Sequence, residues 1–173
     1  MFTRQISIAA PIFVIIYVIQ EAVVSQFRLP GGGFSILMIF ALTWAVLSET
    51  EVAAIIGFAA GFLMDLSQTA AGPFGQWTLI MLLAGYGISY IGYGDDNVHA
   101  NAIGIIFFVV IANLLVEIAY VASGALLGVS TGSFVQILIT LFGMSIWALL
   151  ASPILLPIFS RLHAIIFDSR SAL

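Results

Sequence analysis

The feature that most constrains this chain is a succession of apolar runs with almost no charge inside them. Residues 6–24, 34–47, 50–64, 77–91, 102–127 and 134–159 each read as one such run, joined by short polar links. Only 7% of the 173 residues are charged, against about 25% in a soluble domain, too few to clothe a water-facing surface. The runs are continuous and do not alternate with period two, which selects helices over a transmembrane barrel. The sequence therefore predicts an all-α membrane protein, a single domain over residues 1–173 built as a six-transmembrane-helix bundle. There is no cysteine, which excludes disulfides, thiol catalysis and thiolate metal sites. Four arginines without a lysine and a net charge of −4 argue against a nucleic-acid partner.

The links carry the boundary signals. Arg4 opens the first run and Glu21 follows its core without a small-x-small cleavage pattern, which predicts an uncleaved anchor. Residues 26–33 form a glycine-rich loop with Arg28 and Pro30. Ser48 followed by Glu51 fits a capping box, so Ser48 is expected as the N-cap of the third helix, with Glu51 where the helix dipole favours an anion. The second and third runs are shorter than the roughly 20 residues of an untilted span, so a tight hairpin, embedded deeply or shielded by its neighbours, is expected. Pro153 and Pro157 are expected to bend the last turns of the sixth run, near its end at Phe159. Six spans put both termini on one side of the membrane. Arg4, Arg161 and Arg170 lie on that side and Arg28 on the other, so the positive-inside rule places both termini in the cytoplasm. Tyr90 and Tyr93 would then mark the inner interface and Trp77 the outer one.

The most specific stretch runs from Ala53 to Gly75. Ala53, Gly57 and Gly61 recur at every fourth residue, forming a stripe without side-chain bulk that lets another helix approach backbone to backbone. Leucine at Gly57 or Gly61 should therefore be far more damaging than leucine at Ala60. Asp65 continues the same spacing, and a link with Gly72, Pro73 and Gly75 follows. An acid at a helix C-terminus opposes the dipole, so Asp65 calls for a partner, and Arg28 is the basic residue on its side.

Glu117 is the acid that falls well inside a span, with Asn113 one turn before it. An ionisable residue at membrane depth is a functional candidate by default; a protonated or hydrogen-bonded glutamate holding helices together is the structural reading. Glu21, Arg28, Asp65, Asn113 and Glu117 all lie toward the outer side, and the sequence leaves open whether they converge or point outward separately. Asp95, Asp96 and His99 have metal-ligand chemistry, but with no further ligand nearby they read as turn residues in a solvated loop. His163 reads as interfacial. Neither histidine shares its predicted side with a serine in a nucleophile motif, and Gly31-Gly32-Gly33 has no lysine to make a phosphate loop. No catalytic residue, metal or cofactor is assigned.

The stretch from Phe34 to Gly92 resembles the MreD family, the membrane subunit of the bacterial rod-shape machinery. That family's core is a helix reading G-F-x-x-G-x-x-x-D, a polar link with a Pro or small residue and a Gly, and a helix ending near Gly-Tyr. Here these are Gly57, Phe58, Gly61, Asp65, Pro73, Gly75 and Gly85-Tyr86, and the glycine-rich link before the second run looks like actinobacterial members. The resemblance implies a non-enzymatic scaffold in the plasma membrane, working with an MreC-like single-span protein, a RodA-type glycosyltransferase and a penicillin-binding transpeptidase. It would work with MreB filaments where those exist. It also implies a fold similar to the S-components of energy-coupling-factor vitamin transporters, which supply the alternative. Glu21, Asp65, Asn113 and Glu117 would then line a substrate pocket. Against that stand the lack of a dense aromatic and polar run in the outer loops and of a small-residue docking face on the first helix. A lipid-acting membrane enzyme would need a converging acid–base pair or a metal site, and the sequence displays none.

Overall fold

The computed structural model describes residues 2–27, 29–67, 72–92, 102–129 and 132–167, with backbone alone for residues 2–7. Arg28, Tyr93, Asp95, Asp96, His99, Asp168 and Arg170 lie outside the described residues, as does the side chain of Arg4. Among the described residues there are six α-helices and no strand. They are α1 (Phe2–Ala22), α2 (Ile36–Val46), α3 (Thr50–Asp65), α4 (Gln76–Gly92), α5 (Ala102–Leu126) and α6 (Phe134–Phe167). Three segments are helical, long and apolar enough to cross a bilayer: Ile8–Gln26, α5 and α6.

Helix α2 is apolar on every side, and such a helix belongs in an interior. Every residue from Leu37 to Val46 is buried, and α2 touches each of the other five helices. Its aromatic side chains knit the surroundings together. The Phe40 ring lies 4.9 Å from that of Phe13 on α1 and 5.1 Å from that of Phe159 on α6. Trp44 Nε1 donates to the Phe159 carbonyl at 2.9 Å.

Helices α3 and α4 form the most extensive contact in the molecule. They run antiparallel, and each four-residue step along α3 meets a four-residue step back along α4. A Cβ on Gly57 would collide with the Met81 carbonyl oxygen and lie 2.8 Å from its carbonyl carbon. One on Gly61 would run into the Trp77 carbonyl oxygen and lie 2.7 Å from Thr78 Cα, and one on Gly85 would meet the Ala53 carbonyl oxygen. The stripe on α3 is thus filled from within the chain. Ala60 is itself fully buried in the core, so Ala60→Leu is not the benign comparison that the spacing suggested. A second close approach sets the Pro30–Gly32 turn on α6, where a Cβ at Gly31 would stand 2.9 Å from Gly143 Cα. Trp147 Nε1 donates to the Pro30 carbonyl there at 3.0 Å.

Two expectations are corrected at the opposite end of the bundle. Ser48 is not a helix cap: α3 starts at Thr50 after Glu49, with no side-chain cap. Ser48 is buried, its Oγ lies 2.8 Å from His163 Nε2, and its carbonyl accepts from Ser89 Oγ at 2.7 Å. Glu49 and Glu51 are exposed, so water can satisfy the first amides of α3, whereas a buried imidazole nitrogen without a partner is costly. His163 is accordingly an interior residue, not an interfacial one. Helix α6 also does not end near Phe159 but runs to Phe167. Its buried face, Ala148, Ser152, Leu156, Phe159, His163 and Ile166, keeps helical spacing straight past both prolines, and packing of that face outweighs the lost backbone hydrogen bonds.

The exterior is apolar, unlike that of a water-soluble protein, and a few polar residues sit within the apolar core. Asn113, Glu117, Ser152 and His163 are inside, while Ile139, Phe142, Ile146, Leu150, Ile154 and Ile158 of α6 face outward.

The seam generates a graded prediction. Gly57→Ala and Gly61→Ala should each destabilise the purified protein by roughly 1–3 kcal/mol through overpacking against backbone. Gly87 lies on the same helix as the seam's other wall but has open space around it. Gly87→Ala should be neutral or stabilising by up to about 1 kcal/mol. Thermal unfolding of the three variants in one detergent reads the difference.

Candidate functional site

The end of the bundle where α1, α3 and α5 finish and α2, α4 and α6 begin gathers most of the polar chemistry. Each helix that starts there needs acceptors for its first amides. For α2 these are Ser35 Oγ, which accepts from Met38 N at 3.1 Å, and Gln20 Oε1 on α1, which accepts from Ile36 N at 2.7 Å. For α6 it is Ser133 Oγ, 3.3 Å from Gln136 N.

For α4 the acceptor is Asp65. Its carboxylate takes Trp77 N at 3.1 Å, Thr78 N at 2.9 Å and Thr78 Oγ1 at 2.5 Å. An acid at the C-terminus of α3 is unfavourable for its own helix, yet the seam delivers it to the N-terminus of α4, where the dipole favours an anion. The expected arginine partner is not needed for this role: two backbone amides and a hydroxyl take its place. Pro73 and Gly75 shape the turn between them. Gln76 N donates to the Pro73 carbonyl at 3.2 Å, and Gly75 sits at φ +95, in the region that favours glycine.

Glu21, Asp65 and the Asn113–Glu117 pair are held by three separate sets of partners. Glu21 Oε1 accepts from Ser67 Oγ at 2.7 Å, and Asn113 Nδ2 donates to Glu117 Oε1 at 2.7 Å within α5. Glu21 and Glu117 line two different cavities. One of about 370 Å³ is lined by Tyr17, Gln20, Glu21, Ser35, Ser67 and Trp77 among others. The other, of about 290 Å³, lies between α4, α5 and α6 and is lined by Gln76, Glu117, Gln136 and Thr140 among others. Trp77, Tyr120 and Met144 border both.

The Trp77 and Tyr120 rings stack at 4.0 Å with 12° between their planes. Trp77 is half-buried and stands between the two cavities. Gln76 is buried beside it and donates through Nε2 to the Tyr120 carbonyl and to Ser123 Oγ, each at 2.8 Å. Two buried side-chain oxygens here accept from nothing: Gln76 Oε1 and Glu117 Oε2.

Sequence reasoning passed over Gln76, Tyr120, Gly143 and the Ser48–His163 pair. Tyr120 had a readable signal, because Asn113, Glu117, Tyr120 and Gly124 fall on one face of α5 at helical spacing. The Ser48–His163 pair had none, since its members are far apart in the chain. Among the described residues no group of three or more potential ligands is placed to hold a metal. Comparison with known protein families, with curated proteins and with solved structures finds no match for this chain.

The Asp65 clamp predicts that Asp65→Ala lowers stability by about 1–2 kcal/mol, the usual cost of losing an N-terminal acceptor. Asp65→Asn keeps one acceptor oxygen and should cost less. In a double-mutant cycle with Thr78→Val, the two changes should be clearly non-additive, because the side chains share a hydrogen bond. Additive effects would mean that the carboxylate acts elsewhere.

Proposed function

We propose that this chain is a six-span plasma-membrane scaffold, a non-enzymatic subunit of the bacterial cell-elongation and peptidoglycan-synthesis machinery of the MreD kind. Both termini are cytoplasmic in this reading. The observation that carries it is the unity of the α3–α4 hairpin. Gly57, Gly61, Asp65, Pro73, Gly75 and Gly85, the residues on which the resemblance rests, are parts of one clamp. The apolar exterior supports an embedded bundle, with α2 enclosed by the other helices.

A chain with so little soluble surface binds partners laterally, helix to helix. Its small-residue stripe is already covered by α4, so the partner contact lies elsewhere. The best-formed candidate is the groove of about 540 Å³ between α4 and α5, where Ala84, Gly87, Ala112 and Ala119 leave a trough between Leu83, Ile91, Phe108 and Leu115. Its occupant in this proposal is the single membrane helix of an MreC-like protein, because small residues let a helix approach closely where lipid offers no hydrophobic driving force. Contacts with a RodA-type glycosyltransferase and a penicillin-binding transpeptidase belong to the same assembly.

One observation favours the alternative, a substrate-binding S-component. Although no loop is dense in aromatic and polar residues, α1, the end of α3 and the start of α4 bring Tyr17, Gln20, Glu21, Ser67 and Trp77 around the cavity of about 370 Å³, within the usual size range of small-molecule sites. The scaffold reading expects purified protein in nanodiscs to show no saturable binding of thiamine, riboflavin or biotin. A nanomolar site for any of them would favour the transporter reading.

Co-purification from membranes tests the scaffold directly. An MreC-like protein should be recovered with the wild type, and Gly87→Leu should reduce that recovery while leaving the fold intact, because the leucine fills the trough. Undiminished recovery with Gly87→Leu would place the contact on another face; no recovery with wild type would count against the family reading itself. Asp65→Asn is the poorer probe here, since that carboxylate is committed to α4.

A further inference from the structure

The flank formed by α3 and α4 is short for a surface that faces lipid. At one end of it Glu49 and Glu51 are exposed, and Ser89 Oγ of α4 reaches the Ser48 carbonyl at the same level. At the other end the Asp65 carboxylate holds Trp77 and Thr78 at the start of α4. The fifteen steps from Thr50 to Asp65 rise roughly 22 Å at about 1.5 Å each, against about 30 Å of hydrocarbon in a typical bilayer. Between those limits the outer surface is open and apolar: Ile55, Phe58, Phe62 and Leu66 on α3, with Leu79 and Leu83 on α4, are all exposed. Phe74 adds no height, because its ring lies 6.0 Å from that of Phe62 and so beside α3. Beyond α4 the exterior is much taller. Exposed apolar residues run from Ile103 to Leu126 on α5 and from Phe134 to Ile158 on α6 without an exposed charge, about 35 Å in each case at the same rise.

We infer that this chain thins the bilayer locally: the phospholipid beside α3 and α4 is compressed by about 8 Å, the shortfall of α3 against the hydrocarbon thickness. A mismatch of this sign can be met by thinning, by snorkelling side chains or by cover from another protein. Tilting is no remedy, because it shortens the projection of a helix that is already too short. Snorkelling needs the long stems of Lys or Arg, and the sequence has neither between residues 29 and 160. Drawing Glu49, Glu51 or Asp65 into hydrocarbon instead would place ionisable groups where they are expensive. Close cover by a further helix needs small residues. Yet Gly57, Gly61 and Gly85 are turned inward on the seam, and the trough lined by Gly87 lies on the α5 side, while Phe58, Phe62, Leu79 and Leu83 stand outward. Tyr86 and Tyr90 agree with a thin flank. Exposed and stacked at 6.4 Å toward the Ser89 end of α4, they are of the type that settles at headgroup level. The taller flank needs no thickening, since a long helix fits by tilting. The protein therefore carries a gradient of bilayer thickness from one side to the other. The inference requires only that the chain spans a membrane, and holds whether or not the scaffold reading does.

The test uses the purified full-length chain in phosphatidylcholine liposomes with eighteen-carbon chains and no other protein. The chain has no cysteine, so single spin labels can be placed through Ile55→Cys and Phe62→Cys on α3, and through Phe107→Cys and Ile118→Cys on α5. Accessibility to oxygen and to a water-soluble nickel chelate gives the depth of each label. Local thickness is the two depths from opposite surfaces plus the rise between the labelled residues. The expected result is about 22 Å beside α3 and about 30 Å beside α5. Equal thickness on both flanks overturns the inference. So do α3 labels that neither reagent reaches, which would mean that a second copy of the chain covers this face. A second arm follows thermal unfolding in liposomes with chains of fourteen to twenty-two carbons. The wild type should be most stable in the shorter chains, and Glu49→Leu combined with Glu51→Leu, which extends the apolar belt, should move the optimum toward longer ones. Wild-type stability that is indifferent to chain length, or greatest in the longest chains, overturns the inference even if the double variant does not fold. A folded double variant with an unmoved optimum overturns it as well.

Discussion

The structure depends on the direct approach of two backbones. Apolar side chains gain nothing from leaving lipid for one another, so helices in a bilayer hold together through close van der Waals contact and internal hydrogen bonds. Gly57, Gly61 and Gly85 remove the side chains that would keep α3 and α4 apart. The seam in turn positions its neighbours. It carries Asp65 from the end of one helix to the start of the next, and sets Gln76 and Trp77 against Tyr120 on α5. Both cavities at that end take part of their wall from residues positioned in this way.

An apolar core and an apolar exterior make each buried polar group a matter of energy, since no solvent is at hand to repair a missing partner. At one end of the bundle Ser48, Ser89 and His163 link α2, α4 and α6 with short hydrogen bonds. At the other, helix starts are served by Ser35, Gln20, Asp65 and Ser133. Buried oxygens without partners among the described residues are Thr43 Oγ1, Gln76 Oε1 and Glu117 Oε2.

Much of the helical layout was legible because apolar run length and turn residues are local signals. The runs at 50–64, 77–91 and 102–127 lie within a residue or so of α3, α4 and α5. The four-residue stripe was readable for the same reason, although its partner was not: nothing local says that Gly57 faces Met81. Local reading failed where a distant group competes for a side chain. Ser48 carries every mark of a helix cap, and His163 of α6 claims it instead. Asp65 looked like an acid in search of a base, because a sequence does not display the free amides at the start of the following helix. The end of α6 was misjudged because proline is a strong local stop, while the buried stripe that overrides it emerges only from packing.

The central claim is that the glycine stripe of α3 is closed by α4 within the same chain and is not a docking face held open for a partner. Solid-state NMR of the purified protein in lipid bilayers addresses it most directly, with glycine labelled at Cα and methionine at the carbonyl carbon. A direct through-space cross-peak between Gly57 and Met81, assigned by its loss in Met81→Leu, is the predicted result in the absence of any other protein. No such peak from the isolated chain, and its appearance or that of a new contact at Gly57 only on adding a partner, would contradict the account.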